Sequence, residues 1–502
     1  MNKHLLPVRA WLMAGAVILV FLMSQCVEEP FEPDITGTIK GQVKDSDTGD
    51  PLENVTITTK PATEVDVTGA DGKYTIAKVD TGVYSIIAEK MDYNGKILRV
   101  RVNEDQTSRV TILLSESDRA TSDDISFTNQ FTPVEGAKNQ PIAPTLSWQT
   151  QNETNSDSLS YDLYLYPSNS PVKTRVAHGL SDTSYTVDPL HYNSVYYWQV
   201  RASDDNGTES YSKTLSFKTL GISDNSFFFV RKNKGDYDIM AYDRQRDQVH
   251  PLTFNNYRDW APKINPRNQR IAFVSDSMVK PYLYTMNKNG SNIRRVTDIP
   301  VDGYHNYGNA FDWDEDHGKL IFSHYQYLYE IDADGSKMKA ITTAPEGRHF
   351  REVEISPDGS KILALAIGEK IYNSAIYLMN RDGSNPQVLI DSLEGIVQSP
   401  SWSIDGNSIL FTHDISGNES LNGRMLNNQI FRLNLSTRDT LGLSQHKPSG
   451  TNDLNPRYSP TGAHIIFTNA PNDGSEPPEI WMMNENGGNR EMIVPEGELP
   501  TY

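Results

Sequence analysis

This 502-residue chain has a single cysteine, no long stretch of helical periodicity after residue 30, and only one conspicuous apolar run. Cys26 alone cannot form an internal disulfide, and no catalytic or metal-binding motif surrounds it. The lack of helical periodicity argues against a coiled coil for the mature protein. Gly and Pro are instead spread along the chain and aromatic residues are plentiful, which is typical of many short strands joined by turns. The predicted fold class is all-β.

Positive charge is scarce as well. The chain has 46 Lys and Arg against 65 Asp and Glu, which gives a formal net charge of −19. A surface this acidic repels phosphate backbones, and no basic stripe interleaved with aromatic residues is visible. We therefore expect no nucleic-acid partner.

The conspicuous apolar run lies at the N-terminus, "MNKHLLPVRAWLMAGAVILVFLMSQC". A basic opening precedes the apolar residues from Ala10 to Met23. This run is too short to span a hydrocarbon core of about 30 Å as a stable helix, but it suits a secretory signal. Residues 1–25 are therefore predicted to be a signal peptide.

The residues Met23-Ser24-Gln25-Cys26 resemble the lipobox of bacterial lipoproteins, whose cysteine becomes the acylated first residue. Gln25 departs from the small residue that is usual there, so an ordinary signal peptide with an incidental cysteine is the alternative. The resemblance implies lipidation of Cys26, a membrane contact through that anchor, and an outer-membrane lipoprotein of the cell envelope. Residues 26–34 would be an acidic tether. Periplasmic and surface-exposed locations both stay open.

Residues 35–115 run in short alternating segments with β-branched or aromatic residues at every second position. The order "GQVKDSDTGDPLENVTI…TGADGKYTIAKVDTGVYSIIAEK" resembles the carboxypeptidase regulatory-like domain, which implies a seven-stranded β-sandwich. Asp45, Asp47 and Asp50 lack the ligand spacing of a calcium loop, so they are interpreted as hairpin-turn residues.

Residues 122–220 contain "PTLSWQ", "LSYDLYLY" and "YYWQVRASD" and resemble a fibronectin type III domain. Trp198 and Tyr196 would then be core residues on the long central strand. Such domains act mostly as spacers and protein contacts, so the resemblance by itself implies no chemistry.

The remainder of the chain, residues 225–502, repeats itself. Each repeat has a lead residue, a tight turn and an apolar strand, as in "VEISPDGSKILALA" and "PSWSIDGNSILFTH", then a second strand such as "AIYLMNRDGSN" and a short closing strand. The lead residues of five repeats are Ile264, Trp313, Ile355, Trp402 and Tyr458. Four-stranded units of about 40–50 residues predict the blades of a β-propeller. The repeat resembles the TolB-type propeller repeat.

A sixth blade is incomplete at its start. "FFFVRK", "DIMAYD" and "VHPLTF" supply three strands, but no first strand precedes them. The last residues of the chain, Pro500-Thr501-Tyr502, match Pro456-Arg457-Tyr458, and Tyr502 lies 44 residues after Tyr458. We predict that the C-terminal strand completes this blade, so that two small β-sandwiches precede a six-bladed, monomeric propeller closed 1+3.

The loops that join the last strand of one blade to the first strand of the next are rich in aromatic residues, His and Arg. Aromatic rings give stacking area, and Arg can bind carboxylates through two hydrogen bonds, so these loops are the predicted ligand-binding face; alternatively, their side chains satisfy neighbouring blades. We call the following residues the loop-face set: Tyr257, Arg258, Asp259, Trp260, Tyr304, His305, Asn306, Tyr307, Arg348, His349, Arg351, Gln398, His446, Asn452 and Asp453.

An enzymatic function is not predicted. No G-x-S-x-G motif or hydrolase domain is present. His305, His349 and His446 could converge with Gln398 as metal ligands, as in propeller lyases of acidic oligosaccharides, but the chain lacks the close His and Gln cluster of those enzymes. We expect no cofactor and no metal. The prediction is a non-catalytic envelope scaffold in which two β-sandwich spacers hold a binding propeller off the membrane, and its partner is an unidentified envelope protein or glycan. The alternative is a glycan-binding or metal-dependent glycan-cleaving propeller.

Overall fold

The structure is a computed structural model that describes residues 36–61, 63–90, 93–116, 125–152, 159–168, 173–205, 208–233, 235–306 and 309–502. The predicted signal peptide, Cys26, the tether and Tyr307 lie outside these residues. Every regular element in the described ranges is a β-strand. No helix among them has the length and apolar character that a membrane crossing requires. The all-β prediction is confirmed.

The chain divides into two compact units. The first extends to Asp123 and also takes in Tyr166–Thr174 and Glu209–Thr214. The second contains Asp124–Leu165, Arg175–Thr208 and Leu215–Tyr502. The second unit therefore includes most of the predicted fibronectin type III-like region together with all of the repeats.

Seven strands of the first unit form two sheets, β4-β1-β7 and β3-β2-β5-β6. Their bounds are β1 Thr36–Asp45, β2 Thr56–Lys60, β3 Asp66–Val67, β4 Lys73–Asp80, β5 Gly82–Glu89, β6 Lys96–Val102 and β7 Thr107–Leu114. Alternate residues point inward, so Ile39, Tyr74 and Ile86 are buried in one apolar cluster. Asp45 accepts hydrogen bonds from the backbone N–H groups of Asp47 and Thr48, as a turn residue does.

The fibronectin type III-like region has ten strands in three sheets: β10-β14, β11-β8, and β13-β12-β15-β17-β9 with β16 paired to β15. Their bounds are β8 Ile125–Phe127, β9 Ala137–Gln140, β10 Thr145–Ser147, β11 Thr150–Asn152, β12 Ser160–Pro167, β13 Thr174–Leu180, β14 Ser184–Thr186, β15 Val195–Ser203, β16 Glu209–Tyr211 and β17 Leu215–Thr219. Trp198 and Tyr196 on β15 are buried, as their alternation predicts.

The repeats form six four-stranded antiparallel sheets, which we call R1 to R6. R1 contains β21 Asp259–Asn265, β22 Arg270–Ser275, β23 Tyr282–Asn287 and β24 Arg294–Arg295. R2 contains β25 Phe311–Asp314, β26 Lys319–His324, β27 Tyr327–Asp332 and β28 Lys339–Thr343. R3 contains β29 His349–Ile355, β30 Lys361–Ile367, β31 Ser374–Asn380 and β32 Gln387–Ile390.

R4 contains β33 Val397–Trp402, β34 Ser408–Asp414, β35 Asn428–Asn434 and β36 Thr440–Gly442. R5 contains β37 Thr451–Tyr458, β38 His464–Pro471, β39 Glu479–Asn484 and β40 Glu491–Val494. R6 combines β18 Phe227–Asn233, β19 Asp236–Asp243 and β20 Gln248–Pro251 with the last strand, β41 Glu498–Thr501. In R6, Thr501 is opposite Phe228 and Glu498 is opposite Val230.

Apolar clusters join each sheet to its neighbours. One cluster runs through R1, R2 and R3, and others join R3 to R4, R4 to R5, R5 to R6 and R6 to R1. The hairpin glycines permit close approach: a Cβ on Gly290 would lie 2.8 Å from the carbonyl oxygen of Leu252 in the preceding sheet, and its φ of 82° favours glycine. The Asn-Gly and Asp-Gly turns therefore serve packing between sheets as well as the hairpins.

Candidate functional site

Each of the six sheets places one first-strand residue at the same register position. These residues stand opposite the second residue of the second strand's apolar run, in the pairs Lys263–Ala272, Asp312–Ile321, Glu354–Leu363, Ser401–Leu410, Arg457–Ile466 and Thr501–Phe228. We call the first member of each pair a register residue. Each one directly precedes the lead residue of its repeat. The register residues are chemically diverse although their backbone positions are equivalent.

Four of the register residues meet in one ion-pair cluster. Lys263 Nζ lies 3.2 Å from Asp312 Oδ1 and 3.7 Å from Glu354 Oε1. Arg457 Nη2 lies 3.0 Å from the same Glu354 oxygen. Residues from R1, R2, R3 and R5 are thus brought together. These side chains are largely shielded from water, so the loss of any one partner would leave a poorly solvated charge without its counterion.

A cavity of about 1050 Å³ opens at the carboxyl ends of the first strands. Its walls include the lead residues Trp313, Trp402, Tyr458 and Tyr502, and the ion-pair cluster also lines it. A smaller space of about 40 Å³ shares Lys263, Glu354, Arg457 and Thr501 with it, so the opening continues between the first strands. Aromatic walls around a few charged groups are typical of a binding site.

The charge around this cavity is uneven. Asp312, Glu315 and Asp316 lie on the R2 side, whereas Arg457 and Arg244 belong to R5 and R6. Burial raises the pKa of Asp312, against the opposing effect of Lys263. Burial, assisted by the nearby Asp312 charge, also raises the pKa of Glu315. The cavity can therefore orient a ligand that carries charge.

Six members of the loop-face set are buried: Asp259, Asn306, Arg351, Gln398, Asn452 and Asp453. Their contacts are internal. Asp453 accepts hydrogen bonds from Ser444 Oγ at 2.5 Å and Asn469 Nδ2 at 2.7 Å, and Arg490 Nη2 lies 2.9 Å away. Asn306 Nδ2 donates to Ser323 Oγ at 2.7 Å and reaches the carbonyl oxygen of Phe350 in the next sheet at 3.2 Å. Asn306 therefore connects R2 with R3.

Other loop-face residues lie nearer the surface. Tyr304 stacks on His349, with ring centroids 3.8 Å apart and planes at 7°, and its N–H donates to His349 Nδ1 at 3.0 Å. Tyr257 and Tyr304 are 49% and 37% exposed, and His446 is exposed too. Tyr304 and His349 thus form a preorganised aromatic pair on this face.

The cationic members are held by neighbours. Arg258 Nε lies 2.6 Å from Asp276 Oδ2, and its guanidinium is 5.9 Å from the half-buried ring of Trp260. Arg348 donates to the carbonyl oxygens of Ala366 and Asn373 at 3.2 and 3.3 Å. His305 Nε2 lies 2.7 Å from the carbonyl oxygen of Glu369. In the part of the chain that is described, no three His, Cys, Asp or Glu side chains are grouped as metal ligands would be.

The cavity was not among the predicted sites. It lies at the ends of the first strands, whereas the loop-face set lies where these strands begin or just before them. Its signal was present in the aligned repeats, because Lys263, Asp312, Glu354 and Arg457 each precede a lead residue. The sequence does not show that these four side chains contact one another; the packing of R1, R2, R3 and R5 in the structure does.

The comparisons with known proteins agree with the resemblances seen in the sequence. Residues 39–123 match the family described as CarboxypepD_reg-like domain, and residues 134–218 match the fibronectin type III domain. The chain is 27% identical over 160 residues to the Tol-Pal system protein TolB of Anaeromyxobacter sp. (strain K), a match that covers 32% of each sequence. The chain thus matches about a third of the length of this curated relative.

Solved structures are similar at lower identity. The TolB structure from Acinetobacter baumannii is 15% identical, with a TM-score of 0.44 over 61% of this chain and 78% of that one. The oligogalacturonate lyase from Vibrio parahaemolyticus is 12% identical, with a TM-score of 0.34 over 73% and 98%. Scores this low support no conclusion about activity.

The chain is therefore an all-β protein in which a carboxypeptidase regulatory-like and a fibronectin type III domain precede a TolB-like β-propeller region. The predicted resemblance to these three families is confirmed.

Proposed function

We propose that this protein is a non-catalytic scaffold of the cell envelope, whose propeller region binds a segment of another protein in the cavity at the ends of the first strands. The observation that carries the proposal is the meeting of register residues from R1, R2, R3 and R5 beneath aromatic lead residues. A cavity of about 1050 Å³ suits several side chains of an inserted segment. The match to a Tol-Pal system protein favours an envelope role.

The proposal includes a six-bladed propeller closed 1+3 by β41. Two observations support closure. Each sheet shares an apolar cluster with both neighbours, including R6 with R1 and R5 with R6. Thr501 has the same register towards its partner strand as Arg457 has in R5. A closed ring leaves no exposed first-strand edge for unwanted pairing.

We also propose lipidation at Cys26, an outer-membrane location, and domain limits of 35–115, 122–220 and 225–502. The lipobox-like residues and the family matches support these assignments. The carboxypeptidase regulatory-like sandwich would act as a spacer. The fibronectin type III-like region belongs largely to the same compact unit as the repeats, so we propose that this second spacer packs directly against the propeller.

The second candidate is glycan binding on the loop face. The exposed Tyr304 ring, stacked on His349, is the observation in its favour. A metal-dependent lyase is less well supported, because His349 Nδ1 accepts the Tyr304 N–H and His305 Nε2 contacts a backbone carbonyl. Each of these contacts occupies a ring nitrogen that metal coordination could use.

Site-specific photo-crosslinking in the native host can test the proposal. A benzoylphenylalanine residue replaces Glu315 at the cavity mouth, Tyr304 on the loop face, or Val388, an exposed residue on the outer strand β32 that serves as the control. We expect a protein adduct from position 315 that is absent from 304 and 388. An adduct only from position 304 would move the partner to the loop face. No protein adduct from either face would contradict protein binding.

A further inference from the structure

The fibronectin type III-like region and the repeats share a packed junction within the second unit. Tyr192 is 2% exposed, and its ring lies 5.3 Å from that of His250 in R6, edge to face. Asn289 of R1 donates from Nδ2 to the carbonyl oxygen of Tyr192 at 2.9 Å, and the Tyr192 N–H donates back to the Asn289 carbonyl at 3.3 Å. Leu220 and Ile222 pack against the same apolar cluster. We call these contacts the junction.

Two histidines at the junction have a buried ring nitrogen without a hydrogen-bond partner among the described residues. His250 on β20 is 7% exposed, and its unpartnered atom is Nε2. His191, next to Tyr192, has an unpartnered Nδ1. A neutral imidazole can leave its acceptor nitrogen unpaired at modest cost. A protonated ring would bury a charge and an N–H group that nothing accepts, which costs much more.

The surrounding charges do not compensate for this cost. Burial lowers the pKa of His250; the nearby Asp243 favours its protonation and Arg246 opposes it. Burial alone lowers the pKa of His191. The Tyr192 ring also faces His250. Burial raises the pKa of Tyr192, so its phenol carries no charge that could neutralise an imidazolium. The packed junction therefore favours the neutral form of both histidines.

We propose that the junction is an acid-sensitive lock, in which protonation of His250 and His191 releases the fibronectin type III-like region from R6 and R1. The direction of the pH effect follows from the linkage between proton binding and junction packing. The released histidines have an ordinary pKa of about 6.5, so protons bind the released state better than the packed state. The packed state is fully favoured above that pH and loses stability as the pH falls below it. Each histidine weakens packing by up to about tenfold per pH unit until its own packed-state pKa is reached.

Release would also alter the cavity. Asp224, Asn225 and Ser226, in the segment between the fibronectin type III-like region and β18, line the cavity. Acidification would therefore change one wall of the proposed binding site. The lock itself does not depend on that site having a ligand.

Hydrogen exchange of the full chain tests the lock. The measurement follows backbone amides of residues 190–194, corrected for intrinsic rates, at pH 7.5 and 5.0. We expect protection there to fall at least tenfold in the natural sequence and clearly less in His250→Phe, which keeps a ring against Tyr192 but cannot titrate. His446→Phe alters an exposed histidine in the loop before R5 and is the matched control that should behave like the natural sequence. Equal protection at both pH values, or an equal loss in His250→Phe, would overturn the lock.

A second measurement covers the case in which His250→Phe does not fold. Nuclear magnetic resonance of selectively labelled natural protein reports the titration of each histidine ring. We expect the pKa of His250 and His191 to lie below the ordinary value of about 6.5, or the two rings to titrate together with loss of protection at residues 190–194. If both titrate at or above pH 6.5 while that protection is retained, the lock is refuted.

Discussion

Removal of the last three residues, Pro500-Thr501-Tyr502, tests whether β41 closes the propeller. In the intact chain the Tyr502 ring meets Phe227 edge to face at 6.0 Å, and Pro500 is buried. The Leu499 N–H donates to Thr468 Oγ1 in R5 at 3.1 Å, and Thr501 stands opposite Phe228. The deletion therefore removes a packed ring and exposes the edge of β18.

The expected loss of unfolding free energy follows from these contacts. Truncating a fully buried aromatic residue to Ala costs about 3–5 kcal/mol. Tyr502 is only partly buried, so its share is about 2–3 kcal/mol, and the aromatic contact and strand pairing bring the loss to about 3–5 kcal/mol in total. For a unit of this size each kcal/mol lowers Tm by roughly 2 °C at most, so Tm should fall by roughly 5–10 °C.

Calorimetry gives the midpoint, and hydrogen exchange of β18 shows whether the loss is local to R6. This second readout is needed because several domains unfold in one experiment. Tyr502→Phe is the matched control. It removes only the hydroxyl, which lies 3.8 Å from Met482 Sδ, and should leave Tm almost unchanged. A deletion variant with an unaltered midpoint and unaltered β18 protection would refute closure by the tail.

Three further predictions concern single side chains. Cys26→Ser should move the protein from the membrane fraction to the soluble fraction and abolish labelling by a palmitate analogue; unchanged fractionation and labelling would exclude the anchor. Asp453→Ala should destabilise the repeats by about 3–5 kcal/mol, because it leaves the buried Arg490 guanidinium without its carboxylate, and an unfolding midpoint equal to that of the natural sequence would contradict this. Although burial opposes the shift, hydrogen bonds from Ser223 and Arg246 lower the pKa of Asp243 to about 2. The stabilisation that ionised Asp243 contributes is therefore present above about pH 4 and is lost as the pH falls towards 2. Asp243→Asn should make stability depend less steeply on pH in this acid range, and an unchanged pH dependence would contradict the prediction.

Strand periodicity and turn chemistry were readable from the sequence because both are local. Alternating apolar residues place Trp198 and Tyr196 in a core whatever the rest of the chain does. The Asn-Gly turn at Gly290 indicates a hairpin, and the structure has one there. Pro500-Thr501-Tyr502 could likewise be matched to Pro456-Arg457-Tyr458 from the spacing of the repeats alone.

Exposure of the loop-face residues was not readable in the same way. Asp453 and Tyr257 both lie in polar stretches close to the start of a first strand. Yet Asp453 is fully buried and Tyr257 is 49% exposed. The same polar residue types hydrogen-bond to buried backbone groups and contact ligands, so only tertiary packing distinguishes the two roles. The ion-pair cluster was missed for a related reason, since its members lie up to 194 residues apart, from Lys263 to Arg457.

Comparison of the repeats with one another gives a physical reason to assign binding to the cavity. At the second-strand positions opposite the register residues the six sheets have Ala272, Ile321, Leu363, Leu410, Ile466 and Phe228, all apolar and buried. The register residues themselves are Lys, Asp, Glu, Ser, Arg and Thr on equivalent backbone. A position needed only for packing would be apolar in every sheet, as its partner is. Hence packing does not dictate these side chains. Their observed contacts are with one another, and the proposed protein segment in the cavity would be the second reason for their charges.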